Sequence, residues 1–216
     1  MGLSDLKNQY PIVFIGSGIS KRYLDNFPSW TELLEEYWNK VDETEDIYSF
    51  LHNQNVKDAN LSRPQQDFRA NIAAATHIQK LFDSAFFRGN LKVNGLTKKL
   101  AQSDRISPFK WSISNRFKKL NLKNDVDITE VDLFRKMLAK SKMIITTNYD
   151  NFIEQSYVMV SDQQPEVFVG QQGLFDEGSG WAEIYKIHGS IEYPNSIIIN
   201  EDDYSNFDDK SILVTA

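Results

Sequence analysis

Apolar positions change period along the chain. In YPIVFIGSGIS, Ile12–Ile15 form an unbroken apolar run closed by glycines and a serine. Such a run predicts a buried parallel strand rather than an alternating, half-exposed one. PSWTELLEEYWNK then shifts to helical spacing, with Trp30, Leu33, Leu34, Tyr37 and Trp38 on one stripe. Ser29 is its expected N-cap and Glu32 the capping-box partner. From about residue 45 to 140 the pattern is mostly helical. One helix carries Phe68, Ile72, Ala75, Ile78, Leu81, Phe82 and Phe86; another has Thr129 as its expected cap and Val131, Leu133, Phe134, Met137 and Leu138 as its expected buried face. Beyond residue 140 the spacing predicts strands at Met143–Thr146, Glu166–Val169, Ile184–Ile187 and Ile197–Ile199, a helix at Asp150–Val158 and another opening at NEDDYSNF. Together these predict an α/β fold: a doubly wound, mostly parallel sheet with a mostly helical module inserted near its beginning.

Composition narrows the class. With 216 residues, 41% of them hydrophobic and 14 of them Phe, the chain can build a packed core. A net charge of -6 argues against a dedicated nucleic-acid binder, which needs a basic footprint. There is no cysteine, so disulfides, thiolate zinc sites and cysteine nucleophiles are excluded. The N-terminal apolar run is too short for a signal peptide or a membrane span, and a cytoplasmic protein is expected. The closing DDKSILVTA reads as the opening of a further element. The expectation is therefore a fragment of a longer chain, with its sheet truncated at the C-terminus.

Three polar stretches follow predicted strands, where ligands sit in open α/β sheets. In FIGSGIS, Gly16 and Gly18 allow a tight turn and close backbone approach to a phosphate, although an ordinary turn uses the same residues. The third glycine of the usual dinucleotide fingerprint is missing. In TTNYD, Asn148 or Asp150 could simply cap the next helix, a role worth about 0.5–2 kcal/mol. Capping needs one such residue, yet Thr146, Thr147, Asn148 and Asp150 crowd into five positions. In KIHGS, His188 ends an apolar run, and an imidazole is the natural proton acceptor near neutrality. His52 and His77 read as structural.

GSGIS, TTNYD, KIHGS and NEDDY, in that order and each after a strand, together resemble the sirtuin-like superfamily. The likeness is greatest to its bacterial branch of NAD-consuming antiphage-defence effectors, and it covers roughly residues 10–40 and 140–206. The resemblance implies one Rossmann-like NAD-binding domain over residues 1–216, with its core at about 10–40 and 140–216 and its helical insertion at about 45–140. It implies that Gly16, Ser17, Gly18, Ile19 and Ser20 line the phosphates of NAD. Asn148 would hold the nicotinamide ribose and orient water, Asp150 would help bind the nicotinamide end, Thr147, where protein-deacylating sirtuins have a glutamine, would contact the cofactor, and His188 would be the general base. The implied reaction cleaves NAD, the substrate, to nicotinamide and ADP-ribose in bacterial defence. Expected partners are a second copy of the chain and a defence protein or phage-derived trigger, with no membrane. Protein-deacylating sirtuins carry a four-cysteine zinc module; this cysteine-free chain cannot build it, so no zinc is expected. An NAD-binding sensor or scaffold without catalysis is the alternative.

Arg88 to Lys123 holds ten basic residues against the single acid Asp104. Interleaved with Phe109, Trp111 and Phe117, it has the makings of a weak single-strand nucleic-acid surface. An amphipathic helix with solvated charges explains the same pattern, and an associated subunit is the other route to nucleic acid.

Overall fold

The computed structural model describes residues 11–41, 44–57, 60–170 and 182–209. The expectation for residues 210–216 lies outside them. The chain divides into two compact units, Met1–Phe27 with Arg116–Ser196, and Pro28–Asn115 with Ile197–Ala216. Among the described residues no helix is long and apolar enough to cross a membrane.

The first unit is a mixed α/β, Rossmann-like structure. Among its described residues four strands, β1 (Ile12–Ile15), β2 (Met143–Thr146), β3 (Glu166–Val169) and β4 (Glu183–Lys186), form one sheet in the order β1-β2-β4-β3. All three pairings are parallel, so all four strands point their C-terminal ends the same way. Register places Val13, Ile144 and Ile184 in one row and Ile15, Thr146 and Lys186 in the next row on the same face. That face meets α7 (Ile128–Ala139) and α8 (Phe152–Val158) in a core that includes Val131, Phe134, Leu138, Phe152, Ile153 and Tyr157. Tyr23, on α1 (Ser17–Tyr23), packs its ring against both Phe134 and Phe152.

Several expectations are corrected. β1 is not wholly buried: Ile12 and Phe14 are 64% and 65% exposed, and only Ile15 is fully buried. Among the described residues β1 lies at the sheet edge, and only its Val13 and Ile15 side meets the core. The N-cap of α7 is Asp127, whose carboxylate accepts the Thr129 N–H; Thr129 already lies inside the helix. Leu133 is 61% exposed and Met137 38%. At about 100° per residue both fall well away from the Val131, Phe134 and Leu138 stripe. Helix α8 starts at Phe152 rather than Asp150, and β4 runs one residue earlier than the apolar run suggests. Asp127→Ala should cost about 1 kcal/mol in denaturant unfolding while Thr129→Ala costs less, because one orphan amide loses its acceptor.

The second unit is helical in its described residues. It holds α2 (Trp30–Trp38), α3 (Ile47–Lys57), α4 (Arg63–Arg88), α5 (Lys98–Ser103), most of α6 (Pro108–Phe117) and α9 (Glu201–Asp209). Ser29 and Glu32 form the expected capping box at α2. Helix α4 carries the long apolar stripe and stops at Gly89, whose φ of 91° suits a residue without Cβ. Ile197–Ile199 is not a strand. Ile197 and Ile199 are fully buried, and the Ile199 and Asn200 amides donate to Asp203, so the run ends in a helix cap instead of a ladder. Lys110, from the basic stretch, is buried in an ion pair with the Asp203 carboxylate.

Candidate functional site

GSGIS, TTNYD and KIHGS stand at the C-terminal ends of β1, β2 and β4, and those strands are consecutive neighbours in the sheet. At about 4.8 Å between strands, their tips fall within about 10 Å of one another. The parallel fold thus gathers stretches separated by more than a hundred residues.

After β1 the chain turns directly into α1. Gly16 is its N-cap, in extended conformation, and contributes no capping side chain. A Cβ built at Gly16 or Gly18 would meet nothing within 4 Å, so both glycines leave open space over the backbone. Ser20, on the buried face of α1, donates its hydroxyl to Asp150 Oδ2 at 2.9 Å. It also accepts from Asn148 Nδ2 at 3.0 Å, and the same amide nitrogen donates to the Gly16 carbonyl at 3.2 Å. Gly16, Ser20, Asn148 and Asp150 thereby form one buried hydrogen-bonded cluster. Ser17, Gly18 and Ile19 continue α1, and Thr147 lies between β2 and Asn148.

Asn148 is buried, and its Oδ1 has no hydrogen-bond partner. A buried acceptor left unpaired costs about 1–3 kcal/mol, so a folded chain rarely keeps one without use. Asp150 combines two roles: Oδ1 accepts the N–H of Phe152, the first residue of α8, while Oδ2 takes the Ser20 hydroxyl. Burial pushes its carboxyl above the ordinary range, opposed by those hydrogen bonds and the Lys186 charge.

His188 follows β4. The turn it sits in is closed by Gly189 N–H to the Lys186 carbonyl, with Gly189 at φ 95°. The Ile187 amide donates to Thr146 O, tying this turn to the one bearing Asn148. His188 is half-buried, and burial lowers its pKa below the usual histidine value. Near neutrality its imidazole is therefore uncharged and able to take a proton.

A cavity of about 230 Å³ borders the cluster through Asp150, with Asn151, Gln155, Lys118, Phe117 and Ile191 among its walls. Ligand pockets usually measure about 300–1,000 Å³, so this one suits a single ring rather than a whole dinucleotide.

Residues 142–215 match the family model of the SIR2-like domain. Over that segment the chain is similar to a sirtuin-like domain. No curated protein matches the chain. SIR2-like domains are broadly NAD-dependent enzymes, so the match fits an NAD-related function in general. Among the described residues of both units no group of histidine and acidic side chains is arranged to hold a metal ion.

One residue beside the cluster is given no role by any sequence motif. Lys186 is fully buried, and its ammonium reaches Asp150 O, Asn151 Oδ1 and Glu154 Oε1. The available signal was a lysine in an apolar strand run, in the row shared with Ile15 and Thr146.

Proposed function

We propose that the sirtuin-like domain hydrolyses NAD to nicotinamide and ADP-ribose, using the cluster at the tips of β1, β2 and β4. The observation that carries this reading is Asn148 Oδ1, a buried acceptor with no protein partner beside two glycines that leave the backbone open. The residues fit the molecule. Gly16, Ser17, Gly18, Ile19 and Ser20 lie where a dinucleotide's phosphates can approach main-chain amides. Asn148 Oδ1 accepts a hydrogen bond from a ribose hydroxyl or from the attacking water. In this reading Asp150, a wall residue of the ring-sized cavity, helps bind the nicotinamide end, and Thr147 contacts the cofactor.

The reaction asks for little covalent chemistry from the protein. The ribose–nitrogen bond breaks, its electron pair stays with nicotinamide, and positive charge grows on the sugar. Water adds its oxygen to the ribose carbon, and its released proton passes to neutral His188 and then to solvent. Positioning and exclusion of bulk water are the main contributions. We infer the biological setting from the resemblance to the defence branch. That setting is NAD depletion in a bacterial cytoplasm, by an assembled form of the protein released by a partner or phage-derived trigger.

Incubation with NAD should release nicotinamide, and Asn148→Ala should lower the rate by about 10²-fold, the usual consequence of a misplaced nucleophile. Undiminished release by that variant would remove the site assignment. Binding of NAD by calorimetry with no product would replace hydrolysis by the sensor reading.

A further inference from the structure

We propose that Lys186 is a positioning residue: its buried ammonium pins the Asp150–Asn151 turn and, through Asp150 and Ser20, holds the Asn148 amide with Oδ1 turned to the ligand. The inference rests on the reading of Asn148 given above.

Alternation along β4 puts Lys186 on the same sheet face as Ile184, towards α8, where no solvent reaches it. Its three N–H donors meet three acceptors: Asp150 O at 2.6 Å, Glu154 Oε1 at 2.6 Å and Asn151 Oδ1 at 3.3 Å. All three lie on the β2–α8 turn or the first turn of α8, which is the segment that carries the candidate site. Stability alone does not account for the arrangement. A buried ion pair is often no better than packed hydrocarbon. This one also leaves Glu154 Oε2 buried without a partner.

The effect reaches Asn148 by a chain of donors with only one consistent direction. The Ser20 hydroxyl donates to Asp150 Oδ2, which leaves its lone pairs for the Asn148 amide nitrogen. The second amide hydrogen goes to the Gly16 carbonyl. Flipping the amide would set Oδ1 against that carbonyl, acceptor against acceptor. These two bonds give Oδ1 a single orientation while Asp150 and Ser20 stay in place, and Lys186 holds that placement by its bond to the Asp150 carbonyl. Without Lys186 the Asp150–Asn151 turn loses that donor, and the contact of Asp150 with Ser20 loosens. The charged groups around Asp150 are Lys186 from β4 and Glu154 from α8; α1 contributes the neutral Ser20.

The test uses the full chain in four forms: native, Lys186→Met, Lys186→Arg and the double variant Lys186→Met/Glu154→Gln. The double variant removes both charges, so it keeps the fold even where the single methionine variant, with Glu154 stranded, does not. The Asn148 side-chain amide pair, identified in 15N–1H spectra by its disappearance in Asn148→Asp, should exchange slowly with solvent in the native chain, since both hydrogens are bonded. In the double variant that exchange should accelerate by about tenfold or more. Nicotinamide release should fall about 10–100-fold with an unchanged melting temperature, and Lys186→Arg should restore part of it because it keeps charge and donors. Native-like exchange of the Asn148 pair in the double variant overturns the proposal whatever the turnover. Altered exchange with no NAD turnover by the native chain would uphold the positioning role and reject hydrolysis. Normal turnover by the double variant, with Asn148→Ala impaired, would reject the positioning role alone.

Discussion

His188→Ala should lower nicotinamide release from NAD by about 10²–10⁴-fold, the range that a positioned general base contributes. The expectation follows from the charge state of the imidazole. Burial lowers the His188 pKa below the value of about 6.5 for a free histidine, since the protonated ring is the form that loses hydration. A base works only when unprotonated. Falling pH therefore removes activity as the ring protonates, and a lowered pKa moves that acid limb below about pH 6.5. Above the limb, turnover should be flat through neutrality. Steady-state release measured from acid to neutral pH checks both parts, the native chain showing the limb and His188→Ala running low at every pH. A variant within threefold of native would place the base elsewhere. A native limb lying clearly above pH 6.5 would contradict the burial of the ring.

How much of this site could be read from the chain depends on which interactions are local. β1, β2 and β3 were legible because a parallel strand is a short apolar run with no alternation. The three polar stretches were legible because each interrupts such a run abruptly, and the family match at residues 142–215 covers two of them. Ile197–Ile199 shows the limit of that logic. A buried apolar run and a buried strand have the same composition, and only the fate of the backbone amides, here taken by Asp203, tells them apart. Hydropathy alone groups Leu133 and Met137 with the α7 core, although helical angle separates them from Val131, Phe134 and Leu138. Ser20 and Lys186 were hardest. A serine on a short helix and a lysine near a strand end look like solvent-facing residues. Their importance comes from partners at positions 148–154, contacts that no periodicity encodes. The cluster is long-range by construction, since the parallel sheet joins β1 to β2 across the helical stretch between them.

Phe152→Ala should remove about 3–5 kcal/mol of stability from the α/β unit, which is a large part of what a domain of ordinary stability has. Phe152 is the first residue of α8. Its ring stacks on Phe134 with centroids 5.7 Å apart and planes 4° from parallel, and it leans on Tyr23 at the same distance. The three rings belong to α8, α7 and α1, so truncation opens a cavity where those helices meet. Collapse is opposed by the backbone: the Phe152 amide is held by Asp150 Oδ1 at 3.0 Å, and the turn beneath is held by Lys186. The chain contains two compact units, so a global unfolding midpoint could mix two events. Hydrogen exchange at the β2 and β4 amides reads the α/β unit directly. Those amides should exchange about 10²–10³-fold faster or more in Phe152→Ala, the free-energy loss expressed as an opening equilibrium. Leu133→Ala is the matched control: a large apolar side chain on the neighbouring helix, 61% exposed, whose loss should change exchange by less than about threefold. Equal effects of the two substitutions would mean that the aromatic contact between α1, α7 and α8 is not what holds the TTNYD turn against the sheet.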